Sequence, residues 1–364
     1  MKKSLIYISI TIGLSAILGI TSRLSVSFSE WYAMNIYPVL IGTIGRAFGL
    51  FPFSVAEILL TLIIIIGIAG TVLLIIKIKK SKGSRKRIFA KTAIGLALVA
   101  STALLGFILG CGINYNRKTF IYDSNIDFSN TGFTQEQLKL VFSLLCDEVS
   151  KVIPHVQTDE DGAFLLTDSI SITAPAAMRN LAEHFPRLDV YYPRPKPVFF
   201  SGFMSDAFVL GVFSPFTIES NYNNITPDNQ KVFTALHELA HNAGFMREDE
   251  ANFIAFLAGR ESGVTDLEYA AYLYVMNRIL VEIEDTESRY EVIGLIPEQA
   301  LVDIRRQNSF WWERYNLNPV VEVIIEVSST VNDAYLKSQG QEDGVESYGK
   351  VIDLVMAMYL NELN

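Results

Sequence analysis

Cysteine and histidine are the residues this chain has least of, two and four in 364. A disulfide between Cys111, at the end of an apolar run, and Cys146, on an expected helix, has no support in their spacing. No cysteine cluster is present to compete for a metal. Net positive charge is missing from most of the chain too. Residues 115–364 carry 18 Lys and Arg against 37 Asp and Glu, a net of −19; residues 1–114 carry 12 against two, a net of +10, and the two sum to the chain's −9. So acidic a stretch is a poor match for a phosphate backbone, and nucleic acid is not an expected partner. Internal repeats and low-complexity tracts are absent as well.

Half of the residues are hydrophobic, and they are unevenly spread. Residues 5–20, 55–76 and 92–113 form three apolar runs, the last two long enough as helices to cross a hydrocarbon core of about 30 Å. A signal peptide is the alternative for the first run, but residues 19–23 make a poor cleavage site, so a retained span is expected. Residues 31–53, aromatic-rich and carrying Pro38, Pro52 and Arg46, suit the membrane interface or a partial dip better than a further span. Gly106 and Gly110 in the third run permit close helix approach.

Lys77, Lys79, Lys80, Lys82, Arg85, Lys86, Arg87 and Lys91 form a basic loop at 77–91. A juxtamembrane run of this kind reads as a topology signal and places the loop in the cytoplasm. Lys2 and Lys3 favour the cytoplasm too, which conflicts with three spans; the eight charges outweigh the two. The expected organisation is a membrane region at 1–114, anchored in the lipid bilayer, and an extracytoplasmic domain at 115–364.

The densest chemistry lies at His237-Glu238-Leu239-Ala240-His241. Residues four apart share a helix face, so His237 and His241 can offer two imidazoles to one metal ion, with Glu238 beside them as a general base. Helix signals frame the quintet. Thr226 is an expected N-cap, Pro227 the first helical residue, and Asp228 suits the positive end. Val232, Leu236, Leu239 and Ala243 recur at helical spacing, and Gly244 marks the stop. A catalytic zinc takes three protein ligands. Just downstream, Glu248-Asp249-Glu250 opens a second expected helix; Asp249 serves the helix dipole, while Glu248 and Glu250 compete for the third position.

Glu248-x-x-Ala251-Asn252 following His-Glu-x-x-His resembles the gluzincin pattern of the HtpX-like and prenyl-protein-type membrane proteases and of the ImmA-type peptidases. By that resemblance Glu248 is the third zinc ligand and Asn252 a supporting residue that orients a ligand histidine. The chain is similar, more closely still, to an uncharacterised bacterial family of membrane-anchored proteins sharing this core, the stretch at 211–217 and that at 332–337. It departs from the wider gluzincins in the gap of only six residues between His241 and Glu248.

The resemblance implies an α+β, mostly helical zincin-like metallopeptidase domain behind a transmembrane helical region. It implies Zn²⁺ as cofactor, His237, His241 and Glu248 as ligands and Glu238 as general base; joined to the expected topology, it makes extracytoplasmic proteins or peptides the expected substrates. The alternative is a non-catalytic membrane-tethered sensor or binding protein on the same fold. A third arrangement, the domain in the cytoplasm, is opposed by the basic loop.

Elsewhere, residues 135–153 have helical periodicity, residues 162–173 alternate loosely, and residues 174–185 read as a helix starting near Pro175. Residues 196–217 read as strands, with 208–213 a candidate substrate rail by analogy with zincins. Glu219 reads as a surface acid rather than a cleft residue. Residues 266–284 form an expected helix whose Tyr269, Tyr272, Leu273 and Tyr274 suit a core, and residues 295–364 are mostly helical. Tyr335 and Tyr348 are candidate oxyanion donors. His155 and His184 are isolated.

Overall fold

Apolar runs with no polar interruption satisfy their backbone groups internally, and here they form the longest helices. The computed structural model describes residues 2–81, 83–123, 133–283, 286–317, 320–341, 344 and 350–363. Among the described residues the chain is mostly helical, with three short strands. It divides into two compact units: Met1–Lys118 with Ser214–Glu219, and Thr119–Phe213 with Ser220–Asn364.

In the first unit, helices span Lys2–Leu24, Val55–Lys80 and Arg85–Phe107. Three helical segments are long and apolar enough to cross a membrane, with mean hydropathies of 1.9, 3.0 and, for the segment beginning at Arg85, 2.2. Val55–Lys80 buries no residue and turns its Ile and Leu outward. The basic stretch expected as a loop at 77–91 is largely helical. One helix runs on to Lys80 and the next begins at Arg85, because Lys and Arg are good helix formers.

Lys2–Leu24 packs along Arg85–Phe107, and Thr11, Ser15, Ser22 and Ser101 are buried on these two helices. Their hydroxyls return to carbonyls of their own helices, as Ser15 does to Thr11 at 2.8 Å, which removes their polar cost. Residues 31–53 are more helical than expected. Val26–Asn35, Tyr37–Leu40, a π-turn at Ile41–Gly45 and Arg46–Gly49 follow one another, and the Tyr32 hydroxyl donates to the Leu109 carbonyl at 2.8 Å.

Gly106 and Gly110 receive a hairpin tip rather than a neighbouring helix. A Cβ at Gly110 would overlap the Pro215 carbonyl oxygen, and one at Gly106 would lie 3.3 Å from the Phe216 ring. Glu219, expected at the surface, is 1% exposed. Its carboxylate accepts from the Val55 and Ala56 N–H groups at 3.2 and 2.7 Å, while Ser54 accepts from Glu57 at 3.0 Å. Helix N-termini leave such donors orphaned, and an acid from far along the chain fills the need.

The second unit is built around a helix at Asp228–Asn242, here the His helix, and one at Glu248–Arg260, the Glu helix. Thr265–Glu282, Gln135–Val152, Ile170–Ala182 and Val351–Glu362 bury their apolar faces against them in one core. Pro175 lies inside the Ile170–Ala182 helix, not at its start; Ser169 sits at the N-cap position. The region 196–217 yields two short strands, β1 (Lys196–Val198) and β2 (Gly211–Ser214), separated by a helix at Ser201–Asp206. With β3 (Glu219–Asn223) they form a sheet of order β1-β3-β2, β1 running parallel to β3. Of the expected rail at 208–213 only its last three residues lie in a strand, and Phe208 has φ +56°.

Residues 162–173, which alternate loosely, form no strand, and the last four of them open the helix Ile170–Ala182. Only a bridge between Thr158 and Phe164 forms, and three aspartates hold the segment from Phe164 to Asp168. Asp303 accepts from the Phe164 N–H at 2.7 Å and Asp228 from Leu166 at 3.0 Å. Asp266 accepts from both Thr167 and Asp168 at 2.9 Å. These acids come from three different helices, so no local pattern announces them.

Candidate metal centre

The His helix starts one residue later than expected. Pro227 is its N-cap, and the Thr226 hydroxyl donates to the Asn223 carbonyl instead of capping. Its end follows the expectation. Gly244 has φ +86°, its N–H bonds the His241 carbonyl at 2.9 Å, and Phe245 N–H bonds Ala240 at 3.2 Å. This pair of bonds is a Schellman closure, which needs a residue without a Cβ penalty at that place. The reversal has a chemical consequence, because it turns the Phe245 carbonyl onto His241.

His237, His241 and Glu248 converge, and one ligand atom from each lies within 4.8 Å of the others. Glu248 Oε2 is 3.1 Å from His237 Nε2 and 3.6 Å from His241 Nε2. The edge of a tetrahedron with zinc–ligand bonds of about 2.0–2.1 Å is about 3.3 Å, so the spacing suits that ion. The opposite ring nitrogens are occupied. His241 Nδ1 donates to the Phe245 carbonyl and His237 Nδ1 to Asn252 Oδ1, each at 2.8 Å. Both acceptors require the proton on Nδ1, which leaves each neutral ring's Nε2 lone pair facing the Glu248 carboxylate.

Three lone-pair donors meeting in a buried place repel one another unless a cation sits among them. Protons take that part in the metal-free protein. Burial works against charge on His241, but the neighbouring Glu248 and Glu238 carboxylates overcome it and push the imidazole up to about 9. Burial likewise opposes ionised Glu248, yet the His241 and His237 partners hold its carboxyl well below the usual carboxylate range. His237 is lowered, chiefly by burial, against the pull of Glu248. One positive charge therefore rests mainly on His241. The donor set of two imidazoles and a carboxylate fits a divalent, borderline-soft ion.

Glu238 is buried beside the cluster, and its Oε2 has no hydrogen-bond partner among the described residues. Burial pushes its carboxyl up to about 8, helped by the Glu248 charge and opposed by His241. A carboxyl poised near neutrality without a fixed donor is suited to accepting and returning a proton. Space for it is made by Gly211 at the start of β2, where a Cβ would overlap Glu238 Oε1 and lie 2.9 Å from Cδ. Ser220 on β3 donates to the Glu238 carbonyl at 2.8 Å, fixing the sheet to the helix at this level.

Glu250, the rival third ligand, faces away from the histidines and accepts from the Phe120 N–H at 2.9 Å. Asp249 pairs with Arg247 at 3.1 Å. His155 and His184 are exposed and stand outside the cluster. Tyr335 is half-buried on the helix Val321–Ser338; Tyr348 lies outside the described residues. Cys111 and Cys146 are both buried and are not joined in a disulfide. A cavity of about 280 Å³ lies near the opposite end of the His helix, lined in part by Asp159, Asp228, Asp303, Lys231 and Arg306. Asp228 and Asp303 are among the loop-holding acids, so it belongs to the scaffold.

Sequence reasoning missed Gly211, the Phe245 carbonyl, the Glu219 cap and the three loop-holding aspartates. Only the Phe245 contact had a local signal, the Gly244 stop four residues before Glu248.

This is a mostly helical protein with apolar helices long enough to span a membrane, a small sheet and a buried His-His-Glu cluster. The chain belongs to the family DUF3810, described as a protein of unknown function, which matches residues 32–356. No curated protein and no solved structure matches it.

Proposed function

We propose that the protein is a membrane-anchored zinc metallopeptidase with a zincin-like second unit, hydrolysing peptide bonds in extracytoplasmic proteins or peptides. The observation that carries this reading is the convergence of His237, His241 and Glu248 with an unpartnered, buried Glu238 beside them. His237 Nε2, His241 Nε2 and a Glu248 oxygen would hold the ion, and Asn252 and the Phe245 carbonyl keep the two imidazoles turned toward it. Zinc, when bound, supplies Lewis acidity that polarises a carbonyl and makes a nearby water acidic. Glu238 takes the proton from the attacking water and returns it to the leaving amine. β2 lies at the sheet edge, with the Phe213 ring 6.4 Å from the His241 ring, and supports an extended peptide lying along that edge. The clustered Lys and Arg at 77–91 support a cytoplasmic location for that stretch, and hence a second unit outside the cytoplasm of a bacterial cell.

The test is zinc per chain in the full-length protein in detergent, for the parent, Glu248→Ala and Glu250→Ala. About one zinc is expected in the parent and in Glu250→Ala, and none in Glu248→Ala. A folded parent without zinc would overturn the reading in favour of a non-catalytic, membrane-tethered sensor.

A further inference from the structure

Five arginines of the second unit are half-buried: Arg187, Arg247, Arg260, Arg278 and Arg314. Four have carbonyl or carboxylate partners. Arg187 donates to the Thr119 and Phe120 carbonyls at 2.8 Å each. Arg247 pairs with Asp249 at 3.1 Å, Arg260 with Glu362 at 2.9 Å and Arg314 with Asp206 at 3.2 Å. Arg278 is the exception: its hydrogen-bond partner is the Tyr274 phenol of its own helix, and no acid lies in ion-pair reach among the described residues. Its guanidinium lies over the Tyr274 ring, 5.4 Å from the centroid. That is an anomaly in a region with 37 acids for 18 basic residues. Half-burial without a counter-charge costs free energy, which an anion from outside the chain would offset.

The place is next to the candidate metal centre. Tyr274 stacks on Phe233 with centroids 3.7 Å apart and planes 11° from parallel. Phe233 is one helical turn, about 5.4 Å, before His237 on the same face. Burial raises the Tyr274 phenol; Arg278 lowers it and the Glu248 charge raises it further, so both groups act on that ring. Neighbouring contacts hold the wall in place. Asn277 donates to Gln307 at 2.9 Å, and Trp311, one turn beyond Gln307, donates to Gln230 on the His helix at 3.1 Å.

The geometry points to Arg278, seated on Tyr274, as the anchor for a carboxylate of the peptide substrate, a few residues from the bond that is cut. This rests on the metallopeptidase reading and adds a substrate class to it. The carboxylate comes from an Asp or Glu side chain or from the peptide C-terminus. Arg is suited to the task because its planar fork meets both carboxylate oxygens while its face stays on the ring.

The experiment measures retention of a synthetic random-decapeptide library on full-length Glu238→Gln in detergent, with and without Arg278→Met or Arg278→Lys. The library is used once with free C-termini and once as C-terminal amides, and retained peptides are sequenced by mass spectrometry. Arg278 as the anchor predicts retention of acidic or free-acid peptides about tenfold above neutral amides, lost with Arg278→Met and partly kept by Arg278→Lys. Loss of retention on amidation alone identifies the C-terminus as the source; acid enrichment surviving amidation identifies the side chain. Retention without acid preference, or a preference unchanged by Arg278→Met, overturns it. The parent's zinc content and cleavage of the same library separate the two readings. Zinc and cleavage without acid preference leave the peptidase standing and remove the anchor. Arg278-dependent retention without zinc or cleavage keeps the anchor on a non-catalytic protein.

Discussion

Buried carboxylates occur in two regions of the second unit, and they are treated in opposite ways. Around residues 162–168, Asp228, Asp266 and Asp303 each accept from backbone N–H groups, and Asp303 also accepts from the Tyr269 hydroxyl at 2.5 Å. At the His-His-Glu cluster, Glu238 and Glu248 each keep an oxygen with no aligned donor. Satisfying a buried acid with fixed donors stabilises the fold and uses up its chemistry. Leaving one unsatisfied costs stability and keeps its lone pairs available for a cation or a proton. Two glutamates two residues apart show the same contrast. Glu250 is spent on the Phe120 N–H, while Glu248 faces two imidazoles.

Three substitutions break this contrast in different ways. Glu238→Gln has the largest expected effect. On the zinc-peptidase reading it keeps bound zinc, keeps or gains thermal stability by replacing a buried carboxyl whose Oε2 has no partner, and loses roughly 10²–10⁴-fold in peptide turnover. Parent-like turnover in a hydrolysis assay would remove Glu238 from the general-base role. Asp303→Ala should do the reverse. Stranding the Phe164 N–H and the Tyr269 and Gln299 donors costs about 3 kcal/mol in denaturant unfolding, with zinc per chain unchanged. An equal loss of zinc would show that the two regions are not separable. Glu219→Gln is the mildest. Weakening the charged cap on Val55 and Ala56 costs about 1 kcal/mol, visible as a small drop in melting temperature. No drop would mean that Ser54 and solvent suffice for that helix end.

Much of this was legible where the physics is local. The apolar runs became helices, the Gly244 stop closes the His helix, and the i, i+4 histidines share its face. Boundaries were less legible. Lys77–Lys80 and Arg85–Lys91 continue helices because charge does not end one, and Pro175 sits inside a helix that its ring was expected to begin. Glu219 was misread because its partners, the Val55 and Ala56 N–H groups, lie some 160 residues earlier.

By itself the sequence determined the spanning-length helices, the acidic character of the second unit and the pairing of His237 with His241, since each depends on composition or on spacing within one helix. It left Glu248 and Glu250 as competitors, because both open the same helix. Only the tertiary structure separates their surroundings, returning the chain through Gly244 so that Glu248 meets the imidazoles while Glu250 accepts from the Phe120 N–H. The same holds for Gly211 against Glu238, for Pro215 against Gly110, and for the Tyr274 ring on Phe233. Each joins residues far apart in the chain, and such contacts exist only once packing has brought their elements together.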